Sequence, residues 1–183
     1  MKKLCLAAIT SLLLPNMSYA AACADGANAL GCTISTSDIT YTLTGNITPA
    51  SGVVGIQFNT DADRNDVTQT GNITTAGRDA YGLFLSSINN SNTTNLTGNI
   101  TTAGNNAYGL FFFTSDSNTT NLTGNITTAG DFARGLWLFN SYSNTTNLTG
   151  NITTAGDFAD GLNLDTSARD TTNLTGNITT AGD

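Results

Sequence analysis

Asn95-Leu96-Thr97-Gly98-Asn99-Ile100-Thr101 alternates polar with apolar or small residues, the period of a strand buried on one face. The pattern predicts a strand over Asn95 to Thr101 with Leu96 and Ile100 pointing inward. Ala103-Gly104-Asn105 reads as a corner, because glycine tolerates positive φ and Asn bonds its own backbone in turns. A second strand is expected from Ala107 to Phe112, with Leu110 and Phe112 inward and a glycine at the same place in every copy, at Gly82, Gly109, Gly135 and Gly161. Ser115-Asp116-Ser117-Asn118 then turns the chain into the next round, leaving room for a short third strand.

The pattern repeats. Thr-Asn-Leu-Thr-Gly-Asn-Ile-Thr-Thr-Ala-Gly occurs unchanged from Thr94, Thr120, Thr146 and Thr172, each copy 26 residues after the last. The shorter Thr-Gly-Asn-Ile-Thr starts at Thr44, Thr70, Thr97, Thr123, Thr149 and Thr175, so one interval is 27 residues, and its surplus lies within Ser87-Ile88-Asn89-Asn90. A fixed period of this size marks a unit that cannot bury its own apolar face and is stable only when stacked on neighbours. The predicted fold is all-β: a parallel β-helix, or β-solenoid, with about 26 residues per coil and the right-handed sense usual for parallel crossovers. Equivalent strands should pair in parallel at the repeat offset, making buried columns of Leu96, Leu122, Leu148 and of Ile100, Ile126, Ile152. Identical residues then lie above one another, so Asn and Thr ladders compete with glycosylation as the reason for the many Asn-x-Thr triplets.

Residues 1–20 read as a secretory signal: Met1-Lys2-Lys3, an apolar run from Leu4 to Leu14, then Ser18-Tyr19-Ala20 before the cleavage point. Lipidation of Cys23 is the alternative, weakened by Ala20 where a lipoprotein signal usually has Leu. Residues 21–40 form an N-terminal cap in which Cys23 and Cys32 are expected to close a disulfide loop, as exported chains favour; a pair of free thiols is the alternative. Residues 41–183 are the solenoid repeats, cut within the sixth copy, which suggests the front part of a longer protein.

Charge narrows the partners. The chain carries 6 basic and 13 acidic residues, and loss of Lys2 and Lys3 with the signal leaves a net charge of −9, so nucleic acid is a poor partner. No stretch is apolar enough for a transmembrane helix. There is no His for general-base work or for completing a zinc shell, and the acids do not form calcium-binding nonapeptides, so neither catalysis, a metal nor a cofactor is expected. One outer feature escapes the repeat: with Leu83 and Leu85 inward, period-two geometry puts Phe84, Phe111, Phe113, Trp137 and Phe139 on the outside, a candidate contact surface partly exposed over three coils. A bend at the strand glycines would instead tuck some of these rings into a wide core.

With its signal, short cysteine loop and Leu-Thr-Gly-Asn-Ile-Thr-Thr-Ala-Gly coils, the chain resembles the passenger region of bacterial autotransporters from about Tyr41 to Asp183. The resemblance implies a β-helical passenger exported to the cell surface, outer membrane or extracellular space through a C-terminal outer-membrane barrel, which is expected beyond Asp183 if the chain is a fragment. It also implies a structural or adhesive role toward a host surface or glycan. No functional residue carries over, because such passengers share a scaffold and not a site. Two other readings stand beside it: an ice- or carbohydrate-binding solenoid, suggested by flat Thr and Asn arrays, and the N-terminal part of a polysaccharide-degrading β-helix enzyme.

Overall fold

The coils wind through three parallel sheets of seven, five and seven strands among the described residues, and stack into a solenoid of about six turns. A computed structural model describes residues 21–86 and 90–182. The signal segment, Asp183 and most of the expected insertion, Ser87-Ile88-Asn89, lie outside the described residues. The first sheet, here the Thr–Asn sheet, holds Gly26–Ala27, Thr40–Thr44, Asp66–Thr70, Thr93–Thr97, Thr119–Thr123, Thr145–Thr149 and Thr171–Thr175. The second, a short sheet, holds Ile73–Thr75, Ile100–Thr102, Ile126–Thr128, Ile152–Thr154 and Ile178–Thr180. The third, here the aromatic sheet, includes Ile56–Phe58, Leu83–Ser86, Leu110–Phe113, Leu136–Phe139 and Leu162–Asp165.

Registers are those of the repeat: Leu122 lies beside Leu96 and Leu148, and Ile126 beside Ile100 and Ile152. Both columns are buried, and with Leu83, Leu110, Leu136 and Phe112 they form one continuous core. Thr94, Thr120 and Thr146 also point inward, continuing the column of Tyr41 and Val67, while their hydroxyls find no partner among the described residues. In the last coil Leu164 and Ile178 are exposed.

The expected strand Asn95–Thr101 is in fact two strands, Thr93–Thr97 and Ile100–Thr102, in separate sheets. The chain turns between them at Gly98, whose φ of 137° is open to glycine and whose added Cβ would sit 2.4 Å from the carbonyl oxygen of Gly71 in the coil below. Alternation survives this corner because Leu96 and Ile100 both still face the core, which is why the pattern conceals it. Around Ala103-Gly104-Asn105 the positive φ belongs to Asn106, at 55°.

Asn side chains hold the coils in register. Asn65, Asn92, Asn118 and Asn144 form a buried ladder in which the backbone and side-chain amides of each donate to the next residue's Oδ1, and Asp170 ends the series by accepting from Asn144. On the solvent side Asn95, Asn121, Asn147 and Asn173 make a second ladder, in which the Nδ2 of Asn121, Asn147 and Asn173 donates at 2.8 Å to the Oδ1 of the Asn in the coil before. At the N-terminal end, Cys23 and Cys32 are joined by a disulfide with Cα atoms 4.7 Å apart, and the strand holding Cys32 starts the aromatic sheet's pairing with Ile56–Phe58.

Candidate contact surface

Within Leu110–Phe113 the alternation is strict at the start: Leu110 and Phe112 are fully buried in the core, and Phe111 points to the opposite side. The same parity in neighbouring coils stacks Phe84, Phe111 and Trp137, with centroids 5.1 and 4.7 Å apart and planes within 11°. Phe113 and Phe139 make a parallel column, 5.6 Å apart and within 5°. All five predicted ridge residues thus lie together on the outer side of one sheet. Their exposure is not uniform: Phe84, Phe113, Trp137 and Phe139 are half-buried, whereas Phe111 is only 6% exposed because rings enclose it from both adjacent coils and from Tyr81, Tyr108 and Phe113. The expectation of partial exposure therefore fails for Phe111, although its ring stands outside the core.

Tyr81 and Tyr108 belong to the same surface and were not anticipated. They stack on each other at 5.2 Å, and Tyr108 meets the edge of Trp137 at 4.8 Å. The strand glycine explains their place. At Gly109 an added Cβ would lie 2.3 Å from Cγ2 of Ile126 and 2.6 Å from the carbonyl oxygen of Gly135, so this position faces the core just as Leu110 does. Two successive inward residues break the alternation and return Tyr108 to the side of Phe111. A Tyr three residues before Phe84 and before Phe111, across a glycine, was the available signal.

Arg134 follows Tyr81 and Tyr108 in their column and lies over Trp137, its guanidinium carbon 4.4 Å from the ring centroid. Its Nε donates to Asp160 at 3.0 Å, and Asn163 donates to the same carboxylate oxygen at 2.8 Å. Burial works against the Asp160 charge, but the hydrogen bonds from Arg134 and Asn163 prevail and hold its pKa below the usual value. Burial, aided by the Asp79 charge, pushes the Tyr81 phenol up to about 12, and burial also raises Tyr108, so both are neutral donors at ordinary pH. The patch has polar margins: Gln57 and Asn59, bonded to each other at 3.1 Å, lie below it, and Asn163 and Asp165 succeed Trp137 and Phe139 above it. Along the axis Phe111 is stacked by rings in both neighbouring coils, while Phe84, Phe113 and Phe139 each stack on one ring only.

A second aromatic pair also escaped the sequence reading. Phe132 and Phe158 are 48% and 65% exposed and stack at 5.1 Å, in the left-handed conformation (φ 56° and 54°) that Asp79 and Asn106 adopt in earlier coils. Among the described residues no group of three or more His, Cys, Asp or Glu could hold a metal ion, and no helix is long and apolar enough to cross a membrane. Comparison with known protein families, curated proteins and solved structures gave no match.

Proposed function

We propose that the chain is an exported, surface-displayed structural or adhesive solenoid, passenger-like in its use of a repetitive stalk, and that it carries no catalysis in this segment. The observation that supports a contact role is the aromatic patch: apolar, bounded by polar residues and placed where the repeat varies. The ring geometry also favours a protein partner over a sugar. A pyranose needs an open ring face to stack on, whereas here Phe111 stacks on Trp137 and the Arg134 guanidinium lies 4.4 Å from the centre of the same ring. Half-buried apolar rings suit the side chains of a protein on the opposing surface. The catalytic part of the reading draws on a chain without His and on the lack, among the described residues, of any group of three or more His, Cys, Asp or Glu that could hold a metal ion.

The test uses beads coated with the full chain, applied to a cell monolayer and in parallel to a glycan array. Phe113→Ser with Phe139→Ser should reduce attachment to cells while circular dichroism and melting temperature stay close to those of the parent. These two rings are chosen because Phe111 is too enclosed to report on contact alone. Unchanged attachment would exclude the ridge, and binding confined to the glycan array would replace the protein partner with a sugar.

A further inference from the structure

The outward side of the Thr–Asn sheet is a second surface, independent of the ridge and opposite to it in character. Its strands alternate strictly, so Thr93, Asn95 and Thr97 face out while Thr94 and Leu96 face in, and the next three coils repeat this in register. The column through Thr97 is longer still: Thr44, Thr70, Thr97, Thr123, Thr149 and Thr175 are all exposed and all threonine. From Thr93 to Thr175 this face carries no charge, on a chain whose net charge is −7. Among the described residues the side-chain hydroxyls of these outward threonines make no hydrogen bond to protein.

The face is also regular in two directions. Strands in a sheet lie about 4.8 Å apart, and outward residues along one strand recur at roughly 6.6 Å, which sets a rectangular lattice of side chains. The Asn95, Asn121, Asn147 and Asn173 amides, linked by identical 2.8 Å bonds, hold each coil at the same offset from the last. Side-chain ladders of this kind oppose the twist that sheets otherwise accumulate. Threonine is stiff at χ1, so each hydroxyl and methyl stays in its place at little entropic cost.

Such a face has little to offer a dissolved ligand. Each hydroxyl must give up water to bind it, and the net gain from one such exchange is only about 0.5–1.5 kcal/mol before ordering costs. A ligand made of water itself gives up nothing: a rigid array of hydroxyls can share hydrogen bonds with an ordered water layer while the methyl groups sit in its gaps. The many weak contacts then act at once, as in any multivalent attachment. We infer that the Thr–Asn sheet is an ice-binding face, which adsorbs crystalline water through its repeating hydroxyl and methyl columns.

Freezing hysteresis and ice-crystal shape, measured on the full chain, test this. The chain should open a gap between melting and freezing points and produce faceted crystals. Thr123→Lys with Thr149→Lys, which places two long charged side chains in the exposed column, should abolish both effects with the circular-dichroism spectrum retained. Thr123→Ala with Thr149→Ala supplies the same test without added bulk and should weaken them. Phe113→Ser with Phe139→Ser should leave them intact, which separates this face from the aromatic ridge. Unshaped, disc-like crystals with no hysteresis in the parent would overturn the inference. So would lysine variants as active as the parent, or adsorption to crystalline cellulose or chitin without any effect on ice.

Discussion

The Thr–Asn sheet and the aromatic sheet share every coil, yet they treat their two sides differently. Both bury an apolar column: Leu96, Leu122 and Leu148 in one, Leu83, Leu110 and Leu136 in the other. On the outside, the Thr–Asn sheet shows the same three residues in four successive coils, while the aromatic sheet passes from Gln57 through Phe84, Phe111 and Trp137 to Asn163. Stacking explains the common part, since an inward residue must match those above and below it in a close-packed interior. The outer sides answer to local pairing only. An outward Asn needs another Asn to bond, and an outward ring needs another ring to stack on, so either solution can be carried for a few coils and then dropped.

The largest expected effect concerns the inner side, where the two sheets should be indistinguishable. Leu122→Ala and Leu110→Ala should each destabilise the solenoid by about 2–5 kcal/mol, because both remove a fully enclosed side chain and leave a cavity. Urea unfolding followed by circular dichroism measures this. A Leu110→Ala variant nearly as stable as the parent would mean that the aromatic sheet does not contribute to the common core.

A smaller effect separates the two Asn ladders. Asn118→Ala should cost about 1–3 kcal/mol, since it leaves the buried amide groups of Asn92 without their acceptor. Asn121→Ala, in the solvent-side ladder, should stay within about 0.5 kcal/mol of the parent, because water replaces the lost partner. Equal losses at the two sites would show that solvent does not reach the Thr–Asn face as freely as its exposure implies.

The smallest effect is electrostatic and confined to the aromatic sheet. Trp137 is the chain's single tryptophan and lies under Arg134, which Asp160 holds in place. The folded pKa of Asp160 is below its unfolded value of 3.8, so its contribution to stability is present above that value and is lost as pH falls through the folded pKa. Tryptophan emission should therefore shift with a midpoint below 3.8, and Asp160→Asn should remove the transition. The Thr–Asn sheet, uncharged from Thr93 onward, has no counterpart to this titration.

Much of this was readable in the residues. The 26-residue identity dictates parallel pairing at that offset, and the inward Leu and Ile columns follow from alternation alone. The stacking of Phe84, Phe111 and Trp137 needs only register and parity. Other features were hidden for definite reasons. The corner at Gly98 leaves Leu96 and Ile100 facing the same interior, so the pattern reads as one strand where the structure has two. Tyr108 joins the ridge only because Gly109 admits the side chain of Ile126 from the next coil, a contact between residues 17 positions apart in the chain. Phe132 and Phe158 occupy a left-handed corner position that earlier coils give to Asp and Asn, and composition offers no hint of an aromatic there.

By itself, then, the sequence determined the period, the parallel stack and which residues face the core, because repetition and alternation are properties of the chain that any stacked sheet must respect. Tertiary structure decided that each coil has three sides, and that Phe111 is enclosed rather than exposed. It also decided that Tyr81, Tyr108 and Arg134 join the ridge beside Phe111 and Trp137. These outcomes depend on how closely one coil approaches the next, and that distance is set by the packing of neighbours rather than by the order of residues within a coil.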